Sequence, residues 1–140
     1  RQSPEGNPMQ IVGIGTEIVE CVRIARMIDR HGELFMTRVF TQREINDCRA
    51  SRRSTERLSA HFASKEAVWK CLAPVSSRTV PWIEIEIVQR PGDRPKVFLH
   101  GSARELAQRR HIREIWLSFS HCRTFALAYA VALKDDDAVA

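Results

Sequence analysis

The sequence predicts an α+β domain with a mainly antiparallel sheet, and three observations carry that prediction. Apolar residues switch between an alternating and a three-to-four spacing along the chain, in the order β-α-α-α-β-β-α-β-β. The strands toward the C-terminal end follow one another through short turns, as hairpins do. The chain has 140 residues, of which 44% are hydrophobic. That is the length of one domain, and a chain of this size buries roughly two-thirds of its unfolded surface.

Residues 1–9 carry Pro4, Gly6, Asn7 and Pro8 without periodicity and read as a flexible leader, with Met9 as the natural start. Residues 10–134 form the domain, and 135–140 read as a flexible acidic tail. Residues 10–16 form the first predicted strand: Ile11, Val12 and Ile14 are β-branched, while Gly13 and Gly15 let another backbone come close. A helix then runs to about His31, with Gly32 suited to its C-terminal cap. Its apolar residues Cys21, Ile24, Ala25 and Ile28 fall on one face and Arg23, Arg26 and Arg30 on the other.

Thr41 and Glu44 have capping-box spacing and open a short helix. A longer helix over 55–72 carries an apolar stripe of Leu58, Phe62, Trp69 and Leu72, with Lys65 in its middle. Residues 74–81 read as loop. Ile83, Ile85 and Ile87 alternate with glutamates as a half-buried strand, and 96–100 returns after the Pro91-Gly92-Asp93 turn. Ser102 and Glu105 repeat the capping-box spacing and open a helix to about Arg110. Strands over 115–120 and 124–133 complete the domain. In the last strand every even position from Ala126 to Ala132 is alanine, a face that invites close packing by a helix or another subunit.

A formal net charge of +5 favours acidic partners without choosing among them. Cys21, Cys48, Cys71 and Cys122 form no C-x-x-C pair and read as reduced thiols of a cytoplasmic protein. No long apolar run predicts a membrane span. No nucleic-acid motif is present, and a single tyrosine makes a poor stacking platform.

Several residues could carry chemistry. Glu17, after Gly15-Thr16, could hold a hard cation or be an acid at a helix N-terminus. Glu66 and Lys70 could serve a site or form an exposed i, i+4 ion pair. Lys65, between Phe62 and Trp69, must snorkel, find an anion or sit at an interface. Ser118, Ser120 and His121 could bind an anion or act as acid/base groups, or simply be polar turn residues. Arg23, Arg26 and Arg30 form either a docking strip or a solvated face.

Four stretches together resemble the holo-acyl-carrier-protein synthases, the small bacterial phosphopantetheinyl transferases. They are Ile11-Val12-Gly13-Ile14-Gly15-Thr16-Glu17-Ile18-Val19-Glu20, Arg38-Val39-Phe40-Thr41, Phe62-Ala63-Ser64-Lys65-Glu66-Ala67-Val68-Trp69-Lys70 and Leu117-Ser118-Phe119-Ser120-His121. They occur in the family's order and spacing over about 10–133. The resemblance implies a 4′-phosphopantetheinyl transferase-like fold, usually a homotrimer with a site at each subunit boundary. It implies transfer of 4′-phosphopantetheine from coenzyme A to a serine of apo acyl carrier protein, in fatty acid biosynthesis. Glu17 and Glu66 would hold Mg²⁺, with Glu66 and Lys70 catalytic. His61, Lys65, Lys70, Ser120 and His121 would contact the cofactor, and the arginine row would dock an acidic carrier protein.

This chain departs from the family pattern at Glu17, where aspartate is usual, and at His61, where arginine is usual. Ala73-Pro74-Val75 replaces a Gly-Thr-Gly turn, and Cys122 replaces a polar or acidic residue. These departures define the alternative: a protein of this fold that binds coenzyme A or a carrier protein with weak or no transfer.

Overall fold

A computed structural model describes residues 8–73 and 80–136. The expected order of strands and helices is present, with corrections at several boundaries. Strand β1 (Met9–Glu20) continues beyond the predicted end at Thr16. Residues 17–20 pair antiparallel with Phe125–Ala128, so the ladder overrides the local helix signal. Helix α1 (Cys21–His31) ends as expected at Gly32, whose φ is 54° and whose N–H donates to the Ile28 carbonyl at 2.7 Å.

Helix α2 (Glu33–Val39) was not predicted; it is two turns long, too short to show a period, and buries Phe35, Met36 and Val39. Helix α3 (Gln42–Arg49) has both halves of the Thr41–Glu44 capping box. Helix α4 (Ser54–Leu72) is followed, past residues 74–79, by a 3₁₀ turn over Trp82–Glu84. The predicted strand at Ile83 therefore starts later, as β2 (Ile85–Val88), which pairs with β3 (Lys96–Leu99). Pro74 and Val75 of the altered turn lie outside the described residues.

Helix α5 (Gly101–Arg109) lacks the expected Ser102 cap. The Ser102 hydroxyl instead donates to Glu84 at 2.5 Å, and the same carboxylate oxygen accepts from the Ala103 N–H at 2.9 Å. Strands β4 (Ile112–His121) and β5 (Phe125–Asp135) are longer than predicted. Asp135, assigned to the tail, is inside β5; it pairs with Met9 and meets the Arg113 guanidinium at 2.7 Å.

The main sheet has the order β1-β5-β4, antiparallel throughout. Helix α4 packs across all three strands and, on its other side, against α1, α3 and β2. Close approach is possible because the facing residues are small. Ala126, Ala128, Ala130 and Ala132 are fully buried under α4. Gly13 and Gly15 lie beside them, opposite Ala132 and Ala130. A Cβ at Gly15 would intrude on the Ala67 carbonyl oxygen, and one at Gly13 on that of Cys71. Arg110 then ties the end of α4 to β1, donating to the Cys71, Leu72 and Val12 carbonyls at 2.7, 2.9 and 3.0 Å.

The alanine face is thus taken by a helix of the same chain, not by another subunit. The opposite face of the sheet is open and apolar: Ile14, Ile18, Trp116, Leu127 and Tyr129 are each about half exposed. No helix among the described residues is long and apolar enough to cross a membrane.

Candidate active site

The buried face of α4 is far broader than the predicted stripe. Ala60, His61, Ala63, Ser64, Lys65, Ala67, Val68, Cys71 and Leu72 are all buried. Phe62, Glu66 and Lys70, spaced four apart, remain accessible, as do Trp69 and the first turn of the helix. Phe62 and Glu66 open into a cleft of about 560 Å³ whose walls include Glu17, Arg23, Met27, Arg38 and Trp82. The structure therefore brings Glu17 and Glu66 together, although they are far apart in sequence.

Their partners differ from the expected helical ion pair. Lys70 turns from Glu66 to β1: its ammonium donates to the Thr16 carbonyl at 2.8 Å and lies 3.3 Å from Glu17 Oε2. Glu17 Oε1 accepts from the Ile18 N–H at 3.1 Å. Glu66 Oε1 accepts from the indole N–H of Trp82 at 2.7 Å. Among the described residues no cluster of three or more His, Cys, Asp or Glu side chains forms a complete metal cage. Two carboxylates on one cleft nonetheless suit Mg²⁺, which usually takes one or two protein carboxylates and fills its octahedron with water and substrate phosphate oxygens.

Lys65 and His61 do not line this cleft; both are buried on the other side of the helix from it. Lys65 is fully buried. Its Nζ donates to Glu44 Oε1 at 2.6 Å, to the Trp82 carbonyl at 3.1 Å and to the Ile85 carbonyl. Of the outcomes open to it in the sequence, it finds an anion. Burial favours a neutral amine and a neutral acid, whereas the contact favours both charges. Three acceptors around Nζ match the three N–H groups of an ammonium, so the pair is ionic. Burial alone would raise the Glu44 carboxyl, but the His61 hydrogen bond and the Lys65 charge outweigh it and hold Glu44 below its ordinary value of 4.5. His61 is 1% exposed, with Nδ1 3.0 Å from Glu44 Oε2.

Ser120 and His121 end β4, level with Ile18 and Val19 but separated from them by β5, and neither lines the carboxylate cleft. His121 Nδ1 is 3.3 Å from Glu56 Oε2. It lines a second recess with Arg57, Gln89 and Arg90. Glu56 and Glu66 are ten residues apart on α4, about 15 Å of helix, so one chain does not join the two recesses. Cys122, beside His121, is exposed; backbone N–H groups of Phe125 and Thr124 hold its thiol below the ordinary value. Arg23, Arg26 and Arg30 are exposed on α1, and Arg23 reaches the cleft.

Trp82, Glu44, Arg57 and Arg90 were not singled out from the sequence. The strand was expected to begin at Ile83, directly after Trp82, and neither that reading nor the loop before it gives a sign that the indole folds back onto Glu66. Glu44 was visible as a capping residue only, because its bond to Lys65 depends on how α3 lies against α4.

Comparison with known proteins shows the family and the fold. Residues 13–130 match the family model described as the 4′-phosphopantetheinyl transferase superfamily. The holo-acyl-carrier-protein synthase of Rhodopirellula baltica is 47% identical over 123 residues, covering 88% of this chain and 98% of that protein. A crystal structure of holo-ACP-synthase from Plasmodium yoelii superimposes with a TM-score of 0.79 at 26% identity, covering 92% of this chain and 99% of that one. The Bacillus anthracis holo-(acyl-carrier-protein) synthase, solved in complex with CoA (3′,5′-ADP), gives 0.71 at 30% identity, covering 91% and 100%. A family match across most of the chain and a relative this similar over almost its whole length show that the chain belongs to the holo-acyl-carrier-protein synthases of the 4′-phosphopantetheinyl transferase superfamily.

Proposed function

We propose that this protein transfers 4′-phosphopantetheine from coenzyme A to a serine of an apo acyl carrier protein. The serine oxygen bonds to the phosphorus that carries pantetheine, the bridging P–O bond breaks, and adenosine 3′,5′-bisphosphate leaves. One observation carries the reading beyond family membership: Glu17 and Glu66 share a cleft, with the Lys70 ammonium beside Glu17. Negative charge on a pyrophosphate must be neutralised for attack to proceed, and this arrangement offers two carboxylates for Mg²⁺ and a lysine for phosphate. The bound Mg²⁺ would supply that neutralisation.

Arg23 lines the same cleft, and the exposed Arg26 and Arg30 on the same helix extend a basic surface suited to an acidic carrier protein. Two recesses on one chain, and an open apolar sheet face, support a homotrimer in which His121 and Ser120 of one subunit approach the carboxylates of another. The carrier-protein substrate and the free thiols support a cytoplasmic location.

The test is intact-mass analysis of an apo carrier protein incubated with the enzyme, Mg²⁺ and coenzyme A. The expected result is a gain of one phosphopantetheine group, abolished by chelator. A tight coenzyme A complex with no mass gain would instead establish the binding-only alternative.

A further inference from the structure

We infer that Trp82 is a positioning residue for Glu66: its indole N–H fixes one carboxylate oxygen so that the other is presented to the metal. This rests on the reading of Glu66 as a metal ligand. The contact is short, 2.7 Å from Nε1 to Oε1. A free glutamate side chain has several rotamers, and ordering one costs free energy comparable to a good hydrogen bond. Mg²⁺ tolerates little misplacement of its ligands. A ligand held in place before the metal arrives avoids that cost at binding.

The type of donor matters as much as its position. An indole N–H donates one hydrogen bond, carries no charge and cannot accept or coordinate. Glu66 is therefore oriented without being neutralised. Glu17 is held differently, by a backbone N–H and by the Lys70 ammonium. Glu17 thus meets the cleft beside a cation, and Glu66 beside a neutral donor.

Trp82 is itself anchored, although its side is 39% exposed. Its ring packs on Phe62 at 5.9 Å between centroids. Its carbonyl accepts from the buried Lys65 ammonium at 3.1 Å. The Glu84 N–H closes the 3₁₀ turn onto the Pro81 carbonyl at 3.0 Å. Lys65 therefore reaches the site through the backbone of Trp82. The indole also stands between two cavities, since Trp82 and Glu66 line both the carboxylate cleft and the recess behind it.

The test uses Trp82→Phe, which keeps a ring against Phe62 and removes only the donor. Mn²⁺ binding to the full-length protein with coenzyme A is followed by the electron paramagnetic resonance of free Mn²⁺, and transfer is followed against Mg²⁺ concentration. Groups that orient metal ligands typically change metal affinity by about 10- to 100-fold. We expect Trp82→Phe to weaken Mn²⁺ by about tenfold and to raise the Mg²⁺ needed for half-maximal rate in parallel, with the rate at saturating Mg²⁺ largely kept. Unchanged Mn²⁺ affinity in Trp82→Phe, with affinity lost in Glu66→Gln, would overturn the positioning role and leave the site intact. Unchanged affinity in Glu66→Gln would remove Glu66 from the metal site and the positioning role with it. Should Trp82→Phe not fold, the wild-type indole N–H resonances still report, assigned through Trp69→Phe and Trp116→Phe. That of Trp82 must shift on Glu66→Gln and be the one broadened first by Mn²⁺; any other order overturns the inference.

Discussion

Lys65 shows how a charged residue in an apolar stripe changes meaning once its surroundings are known. Its ammonium is enclosed by Glu44 and two carbonyl oxygens. Lys65→Met leaves the buried Glu44 carboxylate without its main cation, a change worth about 3–5 kcal/mol; urea unfolding should read a loss of that size. Glu44 also sets an acid limit. Its pKa in the fold is lowered below 4.5, so its contribution is present in full above that value and lost as pH falls through the folded value. The melting temperature should drop on acidification below about pH 4.5, and Glu44→Gln should flatten that part of the profile. At Glu17 the longer arm displaces the carboxylate by about one C–C bond relative to aspartate. Glu17→Asp should lower the Mg²⁺ needed for half-maximal transfer if the cleft merely tolerates glutamate, and reduce turnover if the cleft is fitted to it. No change in either measure, with Glu66→Gln equally silent, would place both carboxylates outside the metal site.

At the scale of elements, the bed beneath α4 decides where the chemistry sits. Gly13 and Gly15 have no room for a Cβ against the carbonyls of Cys71 and Ala67. Gly15→Ala must push α4 off the sheet, and overpacking of this kind costs about 1–3 kcal/mol or more. Because Glu66 and Lys70 ride on α4, turnover should fall further than stability alone explains, measured with the folded fraction held constant. Much of this layer was legible in the sequence. Glycines in a strand and alanines at every other position of β5 announce close packing. The end of β1 and the turn at Trp82–Glu84 were not legible, because Ile18 and Val19 suit a strand or the start of the following helix alike, and only pairing with β5 decides between them. Within the site, Glu17 and Glu66 were legible through their resemblance to a known pattern. Their actual partners, Lys70 and Trp82, follow from tertiary packing, which spacing along one helix does not encode.

For the whole molecule, the open apolar face and the divided site point the same way. Ile18, Leu127 and Tyr129 are exposed to an extent that a soluble chain normally covers by assembly. Leu127→Glu, on that face and opposite Ile18, should convert a trimer to monomers in light scattering; a wild-type monomer at micromolar concentration would remove the trimer. The distance between the two recesses has a genetic consequence. If the proposed assembly forms, its boundary site takes Glu66 from one copy and His121 from its neighbour. Chains carrying Glu66→Gln and chains carrying His121→Ala would each be inactive alone, yet a mixed assembly contains one kind of boundary where both native residues meet. Co-expressing the two defective forms should therefore restore part of the activity, whereas a site contained within one chain could not be rescued by any mixture.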